Sequence, residues 1–217
     1  MSLRRDPLAF PGMRVGLYGG SFDPAHSGHA HAAKTALHAL GLNQVWWLVT
    51  PQNPLKPKSG SLASRRGSAR AQVRGAGHVV TDIETRLGTQ YSADTIAALQ
   101  RRYPGVHFVW IMGGDNLGAF HRWRRWREIF HALPIAIVSR ERIAARGLKG
   151  MAFAHFAQAR RPAHAAHVLA TAKTPAWTYI PARLDPASST ALRRTATGAS
   201  DSAAPVVGSR SKGQKKG

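Results

Sequence analysis

The chain has 217 residues, no cysteine, and 31 Lys and Arg residues against 10 Asp and Glu residues, which gives a formal net charge of +21. This length suits one domain with an appendage. The lack of cysteine excludes disulfides, thiolate metal sites and a cysteine nucleophile, and the positive charge predicts an anionic partner. No segment has the apolar pattern of a secretory signal or a membrane span, so we expect a soluble cytoplasmic protein.

The two ends of the chain differ from its centre. We interpret residues 1–12 as an N-terminal extension and residues 198–217 as a disordered basic tail, because the tail is small, polar and without apolar periodicity. Without that tail, the net charge stays near +18. The domain predicted over 13–197 is therefore basic itself, although a general bias toward arginine would account for the same charge without a partner.

Apolar segments suited to buried parallel strands alternate with helical patterns along this domain. The predicted strands are 13–20, 44–50, 78–84, 106–114, 133–140 and 177–181. The predicted helices are 30–42, 92–104, 123–132 and 188–196, with Ser92 as a possible cap of the second. A loop rich in Pro, Lys and Gly covers 51–60. This alternation predicts an α/β fold, a Rossmann-like open parallel sheet with helices on both faces.

The stretch VGLYGGSFDPAHSGHAH, residues 15–31, joins the first strand to the first helix. In an open parallel sheet, ligands bind beyond the carboxyl ends of the strands. Gly19 and Gly20 allow a close approach of the backbone, and the helix start offers unpaired N–H groups to an anion. His26 and His29 can donate hydrogen bonds to phosphate oxygens. The stretch therefore predicts a phosphate-binding corner.

A metal site and the common phosphate loops fit this stretch less well. His26, His29 and His31 have no carboxylate at ligand spacing, so we disfavour a metal site. The Walker pattern and the dinucleotide pattern G-x-G-x-x-G are both absent from the stretch.

The eleven residues GGSFDPAHSGH resemble the G-G-[ST]-F-D-P-x-H-x-G-H signature of the nucleotidyltransferase superfamily. Within it, residues 13–197 resemble the bacterial nicotinate-nucleotide adenylyltransferase family through the segments TPQNPLKPK, TQYSADTI, WIMGGDNLGAFHRWRRWREI and SSTALR. The resemblance implies transfer of the adenylyl group of ATP to nicotinate mononucleotide, with Mg²⁺ bound to ATP. The products would be deamido-NAD and pyrophosphate.

The resemblance also implies roles for individual residues and assigns no side chain to a metal. The catalytic residues would be His26, His29 and Arg193. The ATP site would contain Gly19, Gly20, Ser21, Phe22, Gly114, Asp115, Ser188, Ser189 and Thr190. Nicotinate mononucleotide would contact Asn53, Lys56, Ser92, Trp123 and Arg124, with Lys58 as an alternative for its phosphate. We interpret Arg65 and Arg66 as a solvated pair that adds charge at most.

The implied chemistry needs no covalent residue and no general base, because the attacking phosphate oxygen is already ionised at neutral pH. Its attack on the α-phosphate of ATP brings two anions together and leaves charge on pyrophosphate. Catalysis then consists of positioning and cationic stabilisation.

Three alternatives stay open. An enzyme of the same superfamily could adenylylate phosphopantetheine or the amide mononucleotide. A nucleic-acid-binding protein could use the arginines and tryptophans of HRWRRWREIFH, residues 121–131, for phosphate contacts and stacking. We disfavour that interpretation because it does not account for the glycine and histidine signature, and the arginines can equally form the exposed face of a helix.

Overall fold

A computed structural model describes residues 6–51, 59–139 and 147–182 of the chain. The strands in these ranges are β1 Arg14–Gly20, β2 Gln44–Val49, β3 His78–Thr81, β4 His107–Gly113, β5 Ile135–Ser139, β6 Arg160–Arg161 and β7 Trp177–Pro181. The α-helices are α1 Ser27–Ala39, α2 Leu62–Gln72, α3 Ile83–Leu87, α4 Ser92–Arg102, α5 Trp126–Ala132 and α6 Met151–His155. Further 3₁₀ helices cover Gly114–Arg122, Ala157–Ala159 and Ala163–Thr171.

The strands form one sheet in the order β3-β2-β1-β4-β5-β7-β6, and every neighbouring pair is parallel. The predicted Rossmann-like parallel sheet is therefore confirmed. From β1 the chain first builds the sheet toward β3, and then continues from β4 on the other side of β1. This reversal makes the carboxyl ends of β1 and β4 the place where such folds bind ligands.

Two buried layers cover the two faces of the sheet. Successive residues of β1 point to opposite faces, so Leu17 joins one layer and Tyr18 the other. The layer around Leu17 is covered by α3, α4, α5 and α6, while α1, α2 and the 163–171 helix cover the layer around Tyr18. No helix in the described ranges combines the length and the apolar character that crossing a bilayer requires.

Residues 6–12, which we expected to be an extension, pack against α3 and α4. Asp6 forms ion pairs with Arg86 and Arg102, and the Tyr103 hydroxyl donates a 2.9 Å hydrogen bond to the carbonyl of Pro7.

The predicted third strand, 78–84, is wrong in its second half, because β3 ends at Thr81 and α3 begins at Ile83. The Ile83 N–H donates a 3.1 Å hydrogen bond to the Thr81 hydroxyl, and Asp82 forms ion pairs with Arg66 and Arg86. These contacts turn the chain out of the sheet.

Helix α2 was not predicted, since the sequence pattern ended in a loop at about residue 60. Ser61 caps it by accepting a 3.2 Å hydrogen bond from the Ser64 N–H. Its buried residues are Arg65 and Ala69, so the helix lacks an apolar face that sequence periodicity could detect.

The predicted helix over 123–132 begins only at Trp126. Arg125, which precedes it, has a φ of 57°, in the left-handed region, and residues 114–122 form a separate 3₁₀ helix. Because the left-handed backbone of Arg125 interrupts the helix, the two tryptophans pack against different partners. Trp123 contacts Trp110, and Trp126 contacts Phe156.

Glu84 of α3 is a buried carboxyl group, 2 % exposed, beneath α4. Its Oε1 accepts a 3.0 Å hydrogen bond from the Thr95 hydroxyl. Burial raises the pKa of Glu84 to about 7 from its ordinary 4.5, and the Thr95 hydrogen bond opposes this rise.

We expect this carboxyl to make the fold less stable as the pH rises from 4.5 to 7, because the folded chain holds the proton more tightly than the unfolded chain. Glu84→Gln keeps a neutral hydrogen-bonding group at this buried position, so the variant does not lose stability through ionisation as the pH rises. E84Q should therefore exceed the parent by up to about 3 kcal/mol in urea unfolding at pH 8, and by much less at pH 5. A difference that is the same at both pH values contradicts this expectation.

Candidate active site

The candidate site lies where β1 and β4 end side by side. Tyr18 of β1 is paired with Ile111 of β4, so the segments that follow Gly20 and Gly113 leave the same edge of the sheet. One segment leads into α1, and the other is the 114–122 3₁₀ helix. Both were predicted to hold ATP, and the fold brings them together.

Gly19 and Gly20 have a packing reason to be glycine. A Cβ atom on Gly19 would lie 2.8 Å from the ring of Trp110, and one on Gly20 would lie 3.0 Å from the ring of Phe22. The rings thus occupy the space of a side chain on both faces of β1. The close approach of a ligand to this backbone stays a prediction.

The turn after β1 places Phe22 beneath the site. Phe22 has a φ of 50°, which is unusual for a residue with a Cβ atom, and its side chain is 2 % exposed. Its ring packs edge-on against Tyr18 and His29, with centroids 5.6 and 5.2 Å away. The Phe22 side chain therefore supports His29 rather than lining an open surface.

His26 and His29 stand together at the start of α1. Their rings are 3.9 Å apart between centroids, and the His26 backbone N–H donates a 3.2 Å hydrogen bond to Nδ1 of His29. Because Nδ1 accepts this bond, the proton of a neutral His29 ring belongs on Nε2. His29 thus offers an N–H donor at the helix N-terminus, where the helix dipole favours an anion.

The 114–122 segment adds a carboxylate to this corner. Gly114 is buried and Asp115 exposed. Burial raises the pKa of Tyr18 above its usual value, and the negative charge of Asp115 adds to this effect, so the carboxylate acts on the end of β1. Ser21 nearby has a buried hydroxyl without a hydrogen-bond partner among the described residues, which suits a site that a polar ligand completes.

The segments that carry the predicted acceptor residues Ser92, Trp123 and Arg124 lie next to each other. The Arg124 guanidinium lies 4.7 Å from the ring centre of Tyr91, and Arg125 forms a 2.6 Å ion pair with Asp94. Ser92 is the first residue of α4 rather than its cap; the cap position belongs to Tyr91, which makes no capping hydrogen bond through its side chain. The first N–H groups of α4 therefore lie next to residues 123–125.

The arginines of the 121–131 segment form an exposed face. Arg122, Arg124, Arg125 and Arg127 are exposed, whereas Trp126 is buried and Trp123 half-buried. Trp123 packs edge-on against Phe120 and Trp110, with centroids 5.0 and 6.1 Å away. The buried Trp126 is poorly placed to stack on a nucleic acid, and the exposed arginines agree with the exposed-face alternative.

The interpretation of Arg65 and Arg66 as a solvated pair is wrong. Arg65 is 2 % exposed and hydrogen-bonded to backbone carbonyls, and Arg66 is ion-paired with Asp82. Backbone carbonyls hold the Arg65 guanidinium, and Asp82 holds that of Arg66. The sequence carries no signal that sets Arg65 apart from a solvated arginine, because its partners are main-chain atoms.

Seven predicted site residues lie outside the described residues, as does the predicted helix 188–196. They are Asn53, Lys56, Lys58, Ser188, Ser189, Thr190 and Arg193.

Comparisons with known proteins show the family to which the chain belongs. Residues 17–195 match the family model described as cytidylyltransferase-like. A relative from Caulobacter sp. (strain K31), named a probable nicotinate-nucleotide adenylyltransferase, is 54% identical over 183 residues, which are 83% of this chain and 97% of the relative. A protein of the same name from Roseobacter denitrificans is 47% identical over 190 residues, 86% of this chain and 94% of that one.

Two solved structures share the fold. Plasmodium falciparum nicotinic acid mononucleotide adenylyltransferase complexed with NaAD has a TM-score of 0.64 and 15% identity, covering 84% of this chain and 83% of that one. The same enzyme complexed with APC has a TM-score of 0.61 and 14% identity over the same shares. At such low identity, the likeness concerns the fold alone.

Proposed function

Because this chain belongs to the nicotinate-nucleotide adenylyltransferases of the cytidylyltransferase-like family, we propose that it transfers the adenylyl group of ATP to nicotinate mononucleotide in the cytoplasm. The catalytic domain spans 13–197. The observation that carries the proposal is the pair His26 and His29 at the start of α1, placed at the carboxyl end of β1 where the strand order reverses.

The reaction is an in-line displacement at the α-phosphorus of ATP. A phosphate oxygen of the mononucleotide forms a new bond to the α-phosphorus. The bond from the α-phosphorus to the oxygen that bridges the α- and β-phosphates breaks. Pyrophosphate leaves with the electron pair, so the step requires no proton transfer to or from the protein. The Nε2–H of His29, the His26 ring and the α1 N–H groups stabilise the charge that accumulates on the phosphates.

Further residues bind ATP around this step. Gly19, Gly20, Ser21 and the backbone of Phe22 form one wall, and Gly114 and Asp115 form the opposite one. Arg193, together with Ser188, Ser189 and Thr190, binds the β- and γ-phosphates, as the family resemblance implies.

The acceptor lies between α4 and the 123–125 segment. The half-buried Trp123 packs against the pyridine ring, and backbone N–H groups near Ser92 and Arg124 bind the nicotinate carboxylate. The close contact of Tyr91 with Arg124 supports this placement, since it brings N–H donors and a positive charge to one point. Asn53 or Lys56, with Lys58 as the alternative, binds the phosphate of the mononucleotide.

When bound together with ATP, Mg²⁺ would supply positive charge that neutralises the phosphates. Protein-bound Mg²⁺ typically has one or two carboxylate ligands besides phosphates and water. Asp115 at the carboxyl end of β4 is a carboxylate that fits this role, and no cluster of three or more His, Asp and Glu suited to a metal occurs among the described residues.

The acceptor is tested by measuring pyrophosphate release from ATP and Mg²⁺ with three acceptors in parallel: nicotinate mononucleotide, nicotinamide mononucleotide and phosphopantetheine. We expect fast release with the first and at least about tenfold lower kcat/KM with the amide, because the N–H donors and Arg124 favour a carboxylate. Faster turnover of the amide contradicts the assigned specificity. Faster turnover of phosphopantetheine contradicts the assigned substrate class.

A further inference from the structure

Arg65 of α2 is a buried cation whose hydrogen bonds go to main-chain carbonyls. Four of its N–H groups donate hydrogen bonds of 2.6 to 2.9 Å. Nε bonds to Gly60, Nη1 to Ser21 and Thr50, and Nη2 to Pro51. Burial lowers the pKa of Arg65, and the charge of Asp23 opposes this, but an arginine stays protonated.

These carbonyls belong to three separate parts of the chain. Ser21 follows β1, Thr50 and Pro51 follow β2, and Gly60 precedes α2. One planar guanidinium group therefore ties the carboxyl ends of two neighbouring strands to the start of a helix. A lysine cannot join these carbonyls in the same way, because its three N–H donors all belong to one nitrogen at the end of a flexible chain.

Further hydrogen bonds through Asp23 and Ser68 join the region of α2 to the turn over residues 21–25. The carboxylate of Asp23 accepts a 3.1 Å hydrogen bond from the Gly60 N–H, and the hydroxyl of Ser68 accepts a 2.8 Å hydrogen bond from the Ala25 N–H. With the bond from Arg65 to Ser21, the turn is held at three places along its length. The residue after the turn is His26.

We propose that Arg65 is a positioning residue that holds the 21–25 turn so that His26 and His29 meet the phosphates of ATP; this rests on the proposed function. A buried charge is an expensive way to gain stability, since apolar residues of similar volume often serve equally well. What the guanidinium adds here is fixed geometry at the carboxyl end of β1. Misplacing catalytic groups by about 1 Å can lower a rate by about a hundredfold.

The test compares Arg65→Lys with Arg66→Lys, a neighbour on the same helix whose partner is Asp82 outside the turn. R65K keeps the charge but loses the four-carbonyl geometry. We expect kcat for pyrophosphate release to fall about ten- to a hundredfold in R65K, with KM for ATP changed by less than about threefold. R66K should keep kcat within about twofold of the parent.

Hydrogen exchange at the amides of residues 21–29 provides a readout besides activity. We expect at least about tenfold faster exchange there in R65K but not in R66K. Parental kcat in R65K, or a lower kcat with unchanged exchange in this segment, overturns the proposal. If the unsubstituted protein releases no pyrophosphate with any acceptor, the proposed function fails, and exchange alone then decides whether Arg65 holds the turn.

Ser68→Ala is the second variant, for the case in which R65K does not fold. It removes the two hydrogen bonds of the Ser68 hydroxyl to the backbone of Ala25, one accepted from the N–H and one donated to the carbonyl. We expect a severalfold lower kcat together with faster exchange of residues 21–29. An S68A protein with parental kcat and parental exchange overturns the proposal that contacts from α2 position the 21–25 turn.

Discussion

We expect His29→Ala to lower kcat for pyrophosphate release by about 10²- to 10³-fold, the usual effect of removing one donor that stabilises transition-state charge. The hydrogen bond from the His26 N–H to Nδ1 fixes the His29 ring, and the Phe22 ring packs against its side. This support holds the Nε2 donor in place before the charge develops. KM for ATP should change much less, because the interaction strengthens only as the bond to pyrophosphate breaks.

His31→Ala is the matched control, because His31 lies two residues further along the same helix with an exposed side chain. It removes an imidazole from the same helix without reaching the corner beside β1. Equal losses in H29A and H31A would point to a general effect of removing an imidazole from α1, and a parental kcat in H29A removes the histidine from the mechanism.

We expect the largest loss of stability from Trp110→Ala, about 3 to 5 kcal/mol in the free energy of unfolding. Trp110 lies in the central strand β4 and is 1 % exposed. Its ring fills the space above Gly19 and contacts Trp123, so its removal leaves a cavity directly under the proposed site. Urea unfolding measures the change.

Trp110→Phe separates the effect of volume from that of polarity. The buried Nε1 of Trp110 has no hydrogen-bond partner among the described residues, so phenylalanine loses no such bond. W110F should therefore cost much less than W110A, about 1.5 kcal/mol or less. A W110A protein within about 1 kcal/mol of the parent would show that this layer repacks freely.

The sheet could be predicted because its strands are short apolar segments between helical patterns, a signal that does not depend on distant contacts. The end of β3 could not be predicted from the sequence. The apolar residues of HVVTDIE suit a longer strand, and the turn at Asp82 depends on Arg66 and Arg86, which lie elsewhere in the sequence. Likewise, the residue type alone does not distinguish Trp123 from Trp126; the left-handed backbone of Arg125 does.

The candidate site was predictable to a similar extent. The signature around His26 and His29 indicated the corner, and the fold places the start of the 114–122 segment beside it. The burial of Arg65 in α2 could not be predicted from the sequence, because any residue type offers a backbone carbonyl that can accept its hydrogen bonds. Phe22 was predicted to line the ATP site, and this stays a prediction; its buried ring packs against His29.

The central claim is that the bond between the α- and β-phosphates of ATP is the one that breaks. The most direct test supplies ATP labelled with ³²P at the α-phosphorus, together with Mg²⁺ and nicotinate mononucleotide, and separates the products. We predict that the label appears in deamido-NAD while unlabelled pyrophosphate accumulates in equal amount. Label recovered as ADP, or left entirely in ATP while the acceptor is in excess, would contradict adenylyl transfer by this protein.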